Sequence, residues 1–188
     1  MSYDLQNVLP FVPVIALVLV IIGVSIWLVL RKTAQARALR RAIRAISSEY
    51  QSELVIPDGM DGEIQLQHML LTSRGILVMD LKHANGAVFA GEKLDEWTVM
   101  EGPQRFKFNS PLAALRARTA AVRAVAKDVP VHGRVVFLGN AEFVGGRPEQ
   151  VITLEELQQE FAQSTGRDAA SISAFHSSWE QIQLAANH

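Results

Sequence analysis

The chain has 188 residues, with 18 Lys and Arg against 19 Asp and Glu and a net charge of −1, so its global charge does not mark a polyanion-binding protein. The absence of cysteine excludes a disulfide framework, a thiolate metal site and a cysteine nucleophile. No repeat or low-complexity block interrupts the sequence, and the stretch from about Ser47 onward has room for one ordinary soluble domain.

The first element is apolar. Residues 1–8 form a short segment, and Leu9 to Leu30 then runs without a charged side chain. At a rise of about 1.5 Å per residue this stretch is long enough for a hydrocarbon core of about 30 Å, which predicts a transmembrane helix over 9–30. A cleaved signal peptide needs a basic start, a shorter apolar core and a small-residue cleavage site, and this segment has none of them. The flank before the span carries only Asp4, whereas the flank after it carries Arg31, Lys32, Arg37, Arg40, Arg41 and Arg44. Cations are retained on the cytoplasmic side. The expected arrangement is therefore a single-pass protein of the inner (plasma) membrane, with residues 1–8 extracytoplasmic and the C-terminal domain cytoplasmic. Pro10 and Pro13 sit in the first turns, where a missing N–H costs least, and Trp27 suits the far interface.

Residues 31–50 read as a basic juxtamembrane helix, with Leu39, Ile43 and Ile46 at helical spacing. Its cations either fix topology alone or also meet anionic headgroups, at about 1 kcal/mol each. Leu54-Val55-Ile56 is strand-like, and Pro57, Asp58, Gly59, Asp61 and Gly62 form a turn-rich break.

Ile64 to Leu71 and Ile76 to Lys82 are apolar runs separated by Thr72-Ser73-Arg74-Gly75, which reads as a four-residue hairpin loop. If Leu71 pairs with Ile76, Gln67 falls opposite Asp80 and Gln65 opposite Lys82. Alternation then places Asp80 and Lys82 on one face, and four polar side chains converge on an apolar sheet. An edge strand with a solvated end would produce the same pattern.

Ala87-Val88-Phe89, Trp97 to Met100 and Phe106-Lys107-Phe108 read as strands. Asn109-Ser110-Pro111 is a helix-start signal, followed by an apolar stripe of Leu112, Leu115, Thr119, Val122 and Val125. Arg116, Arg118, Arg123 and Lys127 lie mostly away from that stripe, as a solvated face or as partners for phosphates. Val131 to Leu138 is a strand of the kind buried on both faces. Asn140 to Pro148 reads as a loop, and Val151-Ile152 as a short strand. Thr153 with Glu156 makes a capping box for a helix through Phe161, and Ala169 to Ala186 is a weaker helix. The fold class is α/β: a mixed β-sheet flanked by helices, following the N-terminal transmembrane helix.

The text LQHMLLTSRGILVMDLKHANGAVFAG (66–91), then DEWTV (95–99), then FNSPL (108–112), resembles the nuclease-related domain (NERD) family, whose fold is similar to restriction endonucleases of the PD-(D/E)xK kind. The family pattern is an Asp-His pair on the second strand, a hairpin glycine, a strand ending in an acidic residue, any residue and Lys, a glycine-containing turn, a Trp-bearing strand and an Asn-Pro helix start. The resemblance covers roughly Leu54 to Phe143 and implies a nuclease-related domain over 51–162, with 163–188 as a C-terminal helical segment. Three departures matter. Gln67 stands where the family has its strand-two aspartate, beside a retained His68. The early helix offers no match for the family's Gly-Glu pair. Ser110 is inserted between Asn109 and Pro111.

By resemblance, the site residues are Asp80 and Lys82, with Gln67 as a degenerate position and His68 next to it. If the site is active, Asp80 and Gln67 would hold Mg²⁺, a metal that prefers hard anionic oxygens, and Asp58, Asp61 or Glu63 would be substitutes for the missing carboxylate. His68, His83, His132 and His176 show no metal-ligand spacing, and neither a nucleophile elbow nor a phosphate loop is present. Two functions follow. The domain is either a pseudonuclease that serves as a membrane-tethered binding or scaffold module, with nucleic acid or protein as partner, or an active Mg²⁺-dependent DNA or RNA phosphodiesterase, a hydrolase, with a migrated carboxylate.

Overall fold

A computed structural model describes residues 12–162 and 167–186; the side chains of residues 12–18, 28, 29, 31, 32, 167 and 168 lie outside that description. Two compact units divide the chain, residues 1–38 and 39–188. The described part of the first is helical. Helix α1 runs Val12–Ile46, so residues 12–30 of the predicted span and 31–46 of the predicted juxtamembrane helix share one helix, whereas Glu49 and Tyr50, predicted as its last turn, already belong to the first strand. Within α1 Leu19, Val20, Ile21, Ile22, Val24, Ile26, Trp27 and Leu30 are each at least 48% exposed. Among the described residues no helix is long and apolar enough to cross a membrane. Residues 1–11, which include the predicted extracytoplasmic segment and the start of the predicted span, lie outside the described residues.

The second unit is built on a five-stranded sheet in the order β1-β2-β3-β7-β9, with β1 Glu49–Pro57, β2 Glu63–Thr72, β3 Gly75–His83, β7 Val131–Leu138 and β9 Val151–Thr153. The first three strands are antiparallel; β3, β7 and β9 are parallel. A four-stranded sheet in the order β6-β5-β4-β8 comprises β4 Gly86–Phe89, β5 Glu96–Glu101, β6 Gln104–Asn109 and β8 Ala141–Phe143. The chain thus leaves β3, makes most of the small sheet and helix α2 (Leu112–Val125), and returns as β7. β8 lies within the stretch predicted as loop, because three residues are too short for alternation to register.

β3 and β7 are buried on both faces, as their unbroken apolar runs require. Ile76, Val78, Val131, Val135 and Phe137 face one core together with Leu112, Leu115 and Val122 of α2 and Trp179 and Ile182 of α4 (Arg167–Ala185). Leu77, Met79 and Val136 face a second core closed by Ile43 and Ile46 of α1 and by Leu157 and Phe161 at helix α3 (Leu154–Glu160). Helix α3 opens with the predicted capping box. Thr153 accepts from the Glu156 N–H, and the Glu156 carboxylate, which also pairs with Arg147, accepts from the Thr153 N–H. Those contacts lower the Glu156 pKa to about 2, the Arg147 hydrogen bond most of all.

The hairpin register is the predicted one, with Leu71 opposite Ile76. Pairing continues to Thr72 and Gly75, which shortens the turn to Ser73-Arg74; the Thr72 hydroxyl donates to the Gly75 carbonyl at 2.8 Å. Helix α2 starts one residue later than the Asn-Ser-Pro signal suggests. Pro111 is its N-cap, and the peptide N–H of Ser110 is instead donated to the Asp95 carbonyl at 2.7 Å.

Candidate functional site: a buried carboxylate under a guanidinium

Asp80 is the first charged residue after the apolar run of β3, and the parallel ladder sets it level with Val135 of β7. Its place in the alternation, with Ile76 and Val78, turns it toward α2. A lone carboxylate there is costly, and the helix supplies the partner. Arg118 Nη1 lies 2.6 Å from Asp80 Oδ2, with the two side chains 20% and 3% exposed, and Arg118 Nε donates to the Gln65 carbonyl at 2.7 Å. The other carboxylate oxygen, Oδ1, is buried with no hydrogen-bond partner among the described residues. Burial pushes the Asp80 pKa up, and the Arg118 and Lys82 cations only partly oppose it.

The hairpin register around Asp80 is the predicted one, but the predicted convergence of polar side chains fails for Gln65. The β2–β3 ladder ends at His68 and Met79, one step short of Gln67. The cause is a break in alternation. Leu66 and Met69 line the same core although two residues, an even number, lie between them, and the β1–β2 ladder skips Glu53, whose φ of +56° is in the left-handed region. A regular pleat would have put Gln65, Gln67, Asp80 and Lys82 on one face. Instead Gln65 is exposed and bonded to the Glu53 carboxylate, and Gln67 is half-buried. His68 stacks on Tyr50, whose hydroxyl lies 2.8 Å from Nδ1; burial lowers the His68 pKa, against the Glu53 and Asp80 charges that raise it.

Lys82 is half-buried and lines a cavity of about 310 Å³ with His83, Asn85 and the rings of Phe106, Phe108 and Phe137. Asp58, Asp61 and Glu63 stay in the β1–β2 turn. The Asp58 carboxylate accepts from the Met60 and Gly62 N–H groups at 2.7 and 3.0 Å, and Asp61 has a φ of +63°. Glu63 pairs with Pro57 at the far end of the ladder from His68.

Arg118 is the residue that sequence reasoning misplaced. It is not part of a solvated face, and its spacing held the signal: Leu115, Arg118 and Val122 are i, i+3 and i+7, one flank of the buried stripe. Arg123 also turns inward, donating to the Val131 carbonyl at 2.8 Å, whereas Arg116 reaches Glu92 on the surface. Tyr50 and Glu53 carried no such signal.

The donor set does not fit a Mg²⁺ centre. Among the described residues no three His, Asp or Glu side chains gather closely enough to hold a metal ion. Mg²⁺ is held by carboxylates and water in near-octahedral geometry, and the single carboxylate here already gives one oxygen to a guanidinium. The arrangement neutralises one buried charge and fixes α2 against β2 and β3. The family model described as nuclease-related domain matches residues 32–138, more than half of the chain. No curated protein and no solved structure matches.

Proposed function

The chain belongs to the nuclease-related domain family, and on that footing we propose that it is a degenerate, membrane-anchored member whose cytoplasmic domain binds or scaffolds rather than cleaves. The observation that carries the proposal is the Asp80–Arg118 pair: the acidic position of the family pattern is engaged by a guanidinium, and the strand-two position that would share a metal with it is Gln67. Lys82 beside the aromatic cavity leaves a surface suited to an anionic or aromatic partner such as nucleic acid.

A second reading keeps hydrolysis. The unpartnered Asp80 Oδ1 and the neighbouring Lys82 are the features that favour it. Cleavage assays and calorimetry separate the two. The wild-type protein should not cut DNA or RNA with Mg²⁺ or Mn²⁺. Gln67→Asp alone should bind divalent metal poorly, and Gln67→Asp with Arg118→Met should bind it measurably better, since a carboxylate is added and the competing cation removed. Efficient metal-dependent cleavage by wild type, abolished in Asp80→Ala, would establish the hydrolase instead.

The membrane anchor rests on the apolar, charge-free stretch from Leu9 and on its exposed aliphatic side chains, among them Leu19, Val20, Ile21, Ile22, Val24, Ile26 and Leu30, each of which gains about 1.5–3 kcal/mol on leaving water. The full chain should stay with membranes through a carbonate wash, and a chain beginning at Thr33 should be released. A reporter active only in the cytoplasm, fused after His188, should be active. Release of the full chain by carbonate would remove the anchor.

A further inference from the structure

Strand β9 meets β7 only from Val135 onward, so the stretch Val131–Arg134 has no strand along that edge. Two guanidiniums take the place of one. Arg123 Nη2 donates to the Val131 carbonyl and Arg134 Nη1 to the Gly133 carbonyl, both at 2.8 Å. Helix α2 lies close above: a Cβ on Gly133 would stand 2.6 Å from Thr119 Oγ1. Between helix and strand is a cavity of about 250 Å³, lined among others by Arg116, Arg123, Arg134, Thr119 and Gln150. It sits beside the first half of β7, whereas Asp80 and Lys82 are level with Val135 and Phe137.

The charges around this cavity do not cancel. Arg134 is matched by Glu160, which accepts from both Nε and Nη2. Arg116 meets Glu92 at 3.2 Å, but both side chains are more than half exposed, where water screens such a pair. Arg123 has no carboxylate within ion-pair distance among the described residues. The cavity thus holds an excess of cationic donors, and Gln150, which also lines it, has its Oε1 buried with no hydrogen-bond partner among the described residues.

An occupant must bring negative charge for the guanidiniums and also a donor for a carbonyl oxygen. We propose that this cavity binds a hydrogen-bearing phosphate, either inorganic phosphate or the terminal phosphate of an ester, through Arg116 and Arg123, with its P–OH donated to Gln150. Inorganic phosphate at neutral pH carries both functions on one small tetrahedral group, since each of its forms there keeps a P–OH, and an ester's terminal phosphate carries both in its monoanionic form, whose proton is lost at about pH 6. Sulfate matches it in size and charge but has no proton to donate. The site is independent of the nuclease-related reading, since Asp80, Gln67 and Lys82 are not among the residues that line it.

The test is calorimetric titration of the full chain in detergent micelles, in phosphate-free buffer at pH 7. Inorganic phosphate should bind saturably, and sulfate several-fold more weakly. Arg123→Gln should weaken phosphate binding at least about tenfold, the scale of one charge-assisted hydrogen bond. Because Arg123 also caps a strand carbonyl, Arg116→Gln serves as the variant that leaves the backbone bonds intact, and it should weaken binding as well. Gln150→Met should abolish the preference over sulfate while retaining binding. Comparing a 5′-phosphorylated oligonucleotide with its unphosphorylated form decides between an ester terminus and the free ion as the source. Absence of saturable phosphate binding, or binding unchanged in both arginine variants, would overturn the site. Equal affinity for sulfate would overturn the role of Gln150.

Discussion

Asp80→Ala and Arg118→Ala should each cost about 3–5 kcal/mol of stability, because each leaves the other charge buried and unpaired. The double variant Asp80→Leu/Arg118→Leu should recover most of that loss, since apolar side chains in the same space carry no desolvation penalty. Thermal or urea unfolding of the four proteins forms a complete cycle, and single-variant costs below about 1 kcal/mol would mean that the pair behaves like an exposed one. The pH dependence has a definite sign. Asp80 has a folded pKa above its ordinary value of 3.8, so the folded state holds this proton more tightly than the unfolded chain does. Its contribution to stability is therefore most favourable below 3.8 and declines as pH rises through the raised folded value. The double variant should lack that component of the pH profile.

Gly75→Ala should be among the most damaging single-methyl additions in the domain. Its φ of +120° is a conformation that L side chains rarely adopt, a cost of about 1–3 kcal/mol. The added Cβ would also stand 2.2 Å from the Pro130 carbonyl oxygen, which accepts the Ile76 N–H at 2.9 Å. Relief would require moving the hairpin away from the start of β7, at the centre of the sheet. Gly59→Ala is the control: Gly59 has a φ of +84°, with nothing within 4 Å of an added Cβ. The difference between the two unfolding midpoints isolates the contact with Pro130, and equal midpoints would show that the hairpin gives way without loss.

Local pattern was enough for the elements whose stabilisation is local or periodic. The hairpin register follows from two apolar runs and a turn, the doubly buried β7 from an unbroken apolar run, and the α3 start from Thr153 and Glu156 alone. Asp80, Lys82 and Gln67 were legible as candidates only through the resemblance to the family pattern. What surrounds them was not. Asp80 and Arg118 are 38 residues apart, and nothing near either residue specifies the pairing. The break at Glu53 and Gln67 is concerted between two strands, so each strand still reads as alternating until both are seen together. Alternation extended through such a break keeps its phase, which is why Gln65 is expected beside Lys82 although its side chain reaches Glu53.

The guanidiniums on the Val131 and Gly133 carbonyls have a further consequence. An uncovered strand edge is a template on which another chain can add a strand, and edges left open favour aggregation. Here the acceptors that an incoming strand would use are occupied by bulky cations of the same chain, which repel the identical cations of a second copy. The short β9 can therefore end early without exposing the molecule to edge-to-edge growth.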